Sequence, residues 1–423
     1  MLKVELKRAL KTRATWRLVA IALVLSLFFA FYTVRHEAYY DYDESGQTLS
    51  TRGVKGYELK QEKHSVIEGE ITPELLSEAV EGYHKIIAQY GSDYSVPPRI
   101  SNEVLGPYSP VYTWIGRSFT DENGASFSAA DLTPEQAQNF YNERLLTLER
   151  TLEKKYGTRP QVLEYAMSHV DESETYFTCS YGIGTTSTFD NLGMCAFLVT
   201  LICMVIIAPV FSSDYASGAD DILRCTRRGR KSLAAAKLCS ALIVSLCVFL
   251  LCIGTFLAVV FGAFGFGDQT SAELLNIVYN PNSLTAMGVM GMILLSSLLT
   301  FLAMSCFTLF LSSQIKSSHA VLASAMAVAI LPTVIRMFGA GGSFGADGAA
   351  GAEGNLINWV RFCLPSGGLT MVGSMLDELG GLHFLWIGEF VAWSPYVILI
   401  AAAVQLPIWF CLAMRAYNRH EAV

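Results

Sequence analysis

The chain has 423 residues, of which 52% are apolar and only 16% charged, with a formal net charge of −7 and a mean hydropathy of +0.38. That balance excludes a water-soluble globular protein of this length, so part of the chain must be solvated by lipid.

The chain begins MLKVELKRALKTRATWR, residues 1–17, which places Leu2, Leu6, Leu10 and Ala14 on one helical line and Lys3, Lys7 and Lys11 on the next, with Arg8 beside them. A helix of this pattern lies along the inner membrane surface, with its aliphatic groups in the lipid boundary and Lys3, Lys7, Arg8 and Lys11 near anionic head groups. A first span is expected over 18–34. A cleaved signal peptide would begin similarly, but its apolar stretch runs to roughly 7–15 residues and ends at a small-x-small site. The sequence AFYTVRHEAYY offers no clear site of that kind, so a retained span is expected.

Residues 35–189 carry more Asp and Glu than Lys and Arg and are long enough for a folded domain outside the membrane. TPELLSEAVEGYHKIIAQY opens with Thr72 as N-cap and Pro73 at N1, and Leu76, Val80, Tyr83 and Ile87 recur at helical spacing. TPEQAQNFYNERLLTLERTLEKKYG repeats the device with Thr133 and Gln136 as a capping box and stops at Gly157. The intervening YSVPPRISNEVLGPYSPVYTW reads as loop and turn. A mainly helical domain is expected.

Further spans are expected over 190–212, 237–262, 286–312, 318–338 and 395–416. With the first, they contain six stretches free of Asp, Glu, Lys and Arg: 18–34, 192–211, 238–261, 286–311, 320–335 and 396–414. At about 1.5 Å rise per residue against a hydrocarbon core of about 30 Å, most can cross alone. The fifth reaches full length only with His319 at one end and Arg336, Met337 and Phe338 at the other. Between the fifth and sixth, 339–394 combines a Gly-rich flexible linker, GAGGSFGADGAAGAEG, with two broken apolar stretches. These, NLINWVRFCLPSGGLTMVGSML and GLHFLWIGEFVAW, suit short helices dipping into the outer interface.

Lys and Arg set the orientation. They gather in 1–17, in 213–237, at Lys316, and at Arg415 and Arg419, while 262–285 has none and 339–394 has only Arg361. The alternation is unbroken, with both termini, including the tail 417–423, cytoplasmic. The fold class expected is an all-α polytopic membrane protein with six transmembrane helices and a mainly helical extracellular domain between the first two. Cys195, Cys203, Cys239, Cys247, Cys252, Cys306 and Cys411 lie in spans as small apolar groups. Cys179 and Cys363 fall on the outer side, where a disulfide between them is open.

Nothing in the sequence indicates catalysis. There is no nucleophile–base pairing, no HExxH, no GxxxxGK[ST] loop, and the spans carry no carboxylate to couple an ion. The chain is therefore expected to be neither an enzyme nor a metalloprotein, to bind no nucleic acid, and to have no energy source of its own. An input would enter at the charged island 213–236. Its Asp214, Gly218, Asp220, Asp221, Arg224, Arg227, Arg228, Arg230 and Lys231 exceed what orientation requires and suggest a shaped docking surface, with Asp220, Asp221 and Ile222 starting a helical turn.

The sequence resembles the membrane subunits of ABC-2 type ABC transporters. The likeness covers the whole plan: basic head, six spans, large domain after the first span, broken helices before the last. Its most specific part is FSSDYASGADDILRCTRRGRKSLAAAKL, with Phe211, Asp214, Gly218, Ile222, Leu223, Arg227, Arg228 and Lys237 in the family's places. Two departures stand in it, Asp214 where Glu is common and CTRRGRKS where a Pro-Ser-Arg-like turn is frequent. The resemblance implies an exporter permease in the plasma membrane, paired with a second copy or a related subunit. A separate cytoplasmic ABC ATPase would bind the ATP and push on the island and the head helix. It also implies that the second and fifth spans line the route, here through Met194, Phe197, Leu198, Met204, Met326 and Leu331, a wall suited to lipid-like or amphipathic cargo. The alternative is a membrane-anchored sensor whose outer domain binds a ligand without transport.

Overall fold

The computed structural model describes residues 1–42, 47–92, 95–119, 127–170, 176–182, 186–225, 230–338, 352–371 and 375–419. The chain is 75% helical. Among the described residues, six helices are long and apolar enough to cross a membrane: Arg13–His36, Ser187–Ala216, Lys231–Phe264, Ala286–Gln314, Ser318–Phe338 and Ser394–Arg419. The all-α polytopic class read from the hydropathy pattern is the class observed. The fifth helix includes both His319 and Arg336, as its length required. The chain divides into two compact units, Met1–Phe31 with Ser187–Val259 and Met290–Val423, and Tyr32–Thr186 with Val260–Val289.

In the second unit, Pro73–Tyr90 starts where the Thr72 hydroxyl accepts the Leu75 N–H and stops at Gly91. Leu76, Val80 and Tyr83 are buried on one face, while Ile87 is half-buried. The Thr133–Gln136 capping box forms, with Gln136 Oε1 accepting from Thr133 N at 2.9 Å. The helix it opens is interrupted at Asn139, giving Pro134–Gln138 and Phe140–Tyr156 rather than one piece. The stretch expected to be loop is instead largely helical, from Pro98–Ile100 through tight turns to Ser109–Ser118. Its prolines sit in first turns, where the missing N–H has no partner to lose, so they start helices here rather than break them. Ile67, Ile71, Leu76, Val80, Val111, Ile115 and Phe140 form the core.

In the first unit, the segment before the sixth span departs from expectation. Ala352–Phe362 is a helix, but Phe384–Ile387 and Phe390–Trp393 pair as an antiparallel hairpin rather than helices. Gly388, at φ 60°, and Glu389 make the two-residue turn, and β-branched and aromatic side chains on both arms favour a strand. The residues between them settle onto the fourth span. A Cβ on Gly368 would lie 2.5 Å from Thr300 Oγ1 and 2.6 Å from Ser296 Oγ, so only glycine admits this approach. The Gly-rich linker expected over 339–354 falls mostly outside the described residues. Arg336, near the end of the fifth helix, pairs with Asp377 at 2.9 Å. Cys179 and Cys363 are both free thiols.

Glu378 is 1% exposed and anchors this segment. It pairs with Arg361, with His383 Nδ1 at 3.0 Å, and accepts from Ser394 Oγ at 2.9 Å. Burial alone would push its carboxyl up, but Arg361, then His383 and Ser394, hold it well below the ordinary glutamate range. Its contribution is therefore full above the unfolded value and drains as pH falls below about 4.3. Glu378→Gln, which strands the Arg361 charge, is expected to cost about 3–5 kcal/mol in thermal unfolding of the detergent-solubilised chain. Replacing Arg361 and Glu378 together by leucine is expected to recover most of it.

Candidate functional site: a buried ion cluster at the elbow

The second span is broken by Pro209, so its helix runs Thr186–Ile207 and resumes as Pro209–Ala216. The backbone groups loosened by the break find one partner in the fourth span. Ser312 Oγ accepts from Phe211 N at 3.1 Å and Ser212 N at 3.2 Å, and donates to Ala208 O at 2.7 Å. The chain then turns at Gly218, whose φ of 68° suits a residue without Cβ, into the short helix Ala219–Arg224. Much of the island read as a loop is thus helical, and the third span starts at Lys231 rather than 237.

Asp214 lies on the inner face of this elbow, 1% exposed. It binds two cations from distant parts of the sequence. Arg8 Nη2, on the head helix Leu2–Lys11, donates to Oδ1 at 2.6 Å, and Lys237 of the third span pairs with Oδ2. The Asp214 hydrogen bond is the main reason the Arg8 guanidinium is held above its usual range. Lys237, also 1% exposed, stands 5.4 Å from the Phe211 ring centre and 5.9 Å from that of Tyr417. Tyr417, near the end of the last span, donates to Asp220 Oδ1 at 2.9 Å. Ile207, Phe211, Leu238, Leu309 and Tyr417 pack around the cluster and keep water out. Head, elbow, third span and last span are joined by one set of charges. Among the described residues, no three His, Cys, Asp or Glu side chains converge in a way that could hold a metal ion.

A family model described as "ABC-2 family transporter protein" matches residues 18–415. The chain belongs to the ABC-2 transporter family. It is a multi-pass permease component of an ABC transporter, and the family implies an ABC ATPase as its working partner. No curated protein and no solved structure matched it.

The permease's sequence-predicted residues divide by exposure. Gly218, Arg230 and Lys231 are exposed, as is Ile222 at 75%. Asp214 and Asp220 are buried, so neither carboxylate is presented on the elbow's surface. Asp221 and Arg224 lie in Ala219–Arg224, while Arg227 and Arg228 fall outside the described residues. Lys3, Lys7, Arg8 and Lys11 are exposed on a helix that buries none of its residues. Of the residues drawn as a route, Phe197 and Met204 are buried inside the bundle, Met204 against Met304, Ala325 and Ala329 with Met326 alongside. Met194, Leu198 and Met326 are half-buried, and Leu331 is exposed.

Sequence reasoning missed Ser312 and Tyr417 and left Lys237 without a counter-charge. The usable signal was Lys237 itself, because a cation at the head of an apolar helix requires a buried anion. Ser312→Ala removes the side-chain acceptor of the Phe211 and Ser212 N–H groups, while the Ala208 carbonyl keeps the Ser212 hydroxyl, and is expected to cost about 1–3 kcal/mol by thermal unfolding. Lys237→Met is expected to cost about 3 kcal/mol in the same assay, with Lys237→Met/Asp214→Leu recovering much of it.

Proposed function

We propose that this permease is the membrane half of an ATP-driven exporter of hydrophobic or amphipathic molecules, working as a pair of copies or with a related subunit. In this reading both termini and the elbow face the cytoplasm, the large domain lies outside, and a separate ABC ATPase docks on the elbow. The chain itself performs no chemistry, and ATP is bound by the ATPase.

The observation that carries the reading is Asp214 held at once by Arg8 and Lys237. An ATPase closing beneath the elbow would press on Ala219–Arg224. The push would pass through Asp214 to the head helix and the third span, and through Asp220 and Tyr417 to the last span. Basic residues concentrated at this end support the orientation. The exposed Ile222 amid charge supports docking, since an isolated large apolar group in a polar rim is the usual anchor of a protein interface. Lys3, Lys7 and Lys11 on the head helix suit an anionic membrane surface.

The spans open to lipid or to a second copy are the outer ones. Only 22% of the most apolar window is buried in the first and sixth spans and 28% in the fifth, against 67% in the fourth. Leu331 and Val334 on the fifth are available to such a copy.

Ile222→Asp is expected to lower recovery of the ABC ATPase with the tagged permease by roughly tenfold or more, leaving membrane insertion unchanged. Arg227→Glu/Arg228→Glu is expected to do the same and to make docking less sensitive to salt. Normal co-purification and normal transport in both variants would rule out the elbow as the docking surface.

A further inference from the structure

The helix Ala352–Phe362 has its polarity reversed relative to a helix on a wet surface. From 355 to 363 the exposed positions are Leu356, Val360 and Cys363, which follow one helical line at intervals of four and three. Leu356 is 66% and Val360 51% exposed, whereas Arg361 is 6% exposed and paired with Glu378. Charge turned in and aliphatic groups turned out suit an apolar solvent.

The turn after this helix is fastened deep inside three spans. The Leu364 carbonyl accepts from Gln405 Nε2 at 3.4 Å, the Gly368 carbonyl accepts from Ser296 Oγ at 3.3 Å, and Ser366 Oγ donates to the Val328 carbonyl at 2.7 Å. From the helix ends away from the elbow, Ser296 lies ten residues in from Ala286, Val328 ten from Phe338 and Gln405 eleven from Ser394. At about 1.5 Å per residue each depth is about 15–17 Å, half of a hydrocarbon core of about 30 Å. Three helices thus define one level. The eleven residues of Ala352–Phe362 are about 16 Å long, enough to reach it from the surface. The chain then climbs back. Met371 N donates to Thr333 Oγ1 at 3.3 Å, only five residues from Phe338, and Glu378 meets Ser394 at the start of the sixth span.

Backbone outside a helix is tolerated at such depth only where protein groups answer its polar atoms. Here Gly367 N donates to Leu364 O at 2.9 Å and Leu369 N to Ser366 O at 3.1 Å, while Gln405 and Ser296 reach the Leu364 and Gly368 carbonyls. A loop on a wet surface could leave these groups to water.

We propose that residues 352–371 re-enter the bilayer from the end opposite the elbow, turn near its midplane at 364–368, and lay Leu356, Val360 and Cys363 against the acyl chains of that leaflet. Neither ATPase docking nor the direction of transport enters this placement.

The unmodified full chain in phosphatidylcholine nanodiscs, whose two faces both meet water, tests it through its own thiols. Cys363 and Cys225 are both exposed, and Cys225 closes the short elbow helix. A charged maleimide, read by mass spectrometry, is expected to label Cys363 at least tenfold more slowly than Cys225, and the two are expected to react alike once the chain is unfolded in dodecyl sulfate. A phosphatidylcholine carrying a diazirine at mid-chain is expected to mark the peptide containing 356–363 on irradiation. Comparable maleimide rates in the nanodisc would put this face in water and overturn the proposal. Protection from the maleimide without a lipid adduct would overturn it as well, assigning the face to a second copy of the chain. Val360→Asp is expected to lower the yield of folded protein tenfold or more, while Val360→Leu leaves it unchanged, because only a lipid-facing site penalises the charge. Full recovery of the Val360→Asp variant would count against the lipid contact.

Discussion

Asp214 is a carboxylate removed from water, and such a group is tolerated only where its ionic partners are as well placed as the water it gave up. Here there are two, Arg8 and Lys237, and they come from opposite sides of the elbow in sequence. One carboxylate between two cations leaves an excess positive charge. The faces of Phe211 and Tyr417 near Lys237 take up part of it, and the Tyr417 hydroxyl is in turn fixed by Asp220. Each member loses its compensation if another moves. The cluster therefore resists local deformation, so that its four members hold the elbow as one piece.

The elbow depends on a break in the second span. Pro209 cannot donate, and a proline inside an apolar helix would leave backbone groups bare where no water can reach them. Ser312 makes the break affordable by standing in for the missing backbone partners. The fourth span therefore does two jobs with its small polar residues. Ser312 fastens it to the elbow, and Ser296, whose hydroxyl donates to the Gly368 carbonyl at 3.3 Å, fastens it to the segment before the sixth span. A serine in a span can be packing filler or a backbone surrogate, and its neighbours in sequence are alike in both cases.

That ambiguity marks the limit of what could be read from the sequence. Local rules were legible: the Thr72 and Thr133 caps, the length of the fifth helix, the helical turn at Asp220 to Ile222. Each depends on atoms within four residues of one another. The hairpin at Phe384–Trp393 was misread because an apolar stretch near a membrane was assumed to be helical, although a Gly-Glu pair between strand-forming residues was visible. Arg8–Asp214, Ser312–Phe211 and Tyr417–Asp220 span about a hundred to two hundred residues each. No periodicity in one sequence records such pairs. The charged island was recognisable as a site because charge is conspicuous in an apolar chain, but which of its residues turn inward was decided by partners far away in the chain.

The last span shows how these distant contacts combine. At its start Ser394 donates to the buried Glu378, and near its end Tyr417 is held by Asp220 and Lys237. The helix Ser394–Arg419 is thus a strut gripped by buried charge at both ends, with Pro407 between the grips. A proline there removes one backbone hydrogen bond and loosens the turn before it. Displacement of the elbow must either carry the strut as a rigid body, straining the Glu378 cluster, or bend it. Breaking a buried ion pair costs several kcal/mol, whereas bending where a hydrogen bond is already missing costs far less. Bending at Pro407 is the cheaper response, and it would move the half of the span that starts at Ser394 little while the half that ends at Tyr417 moves with the elbow.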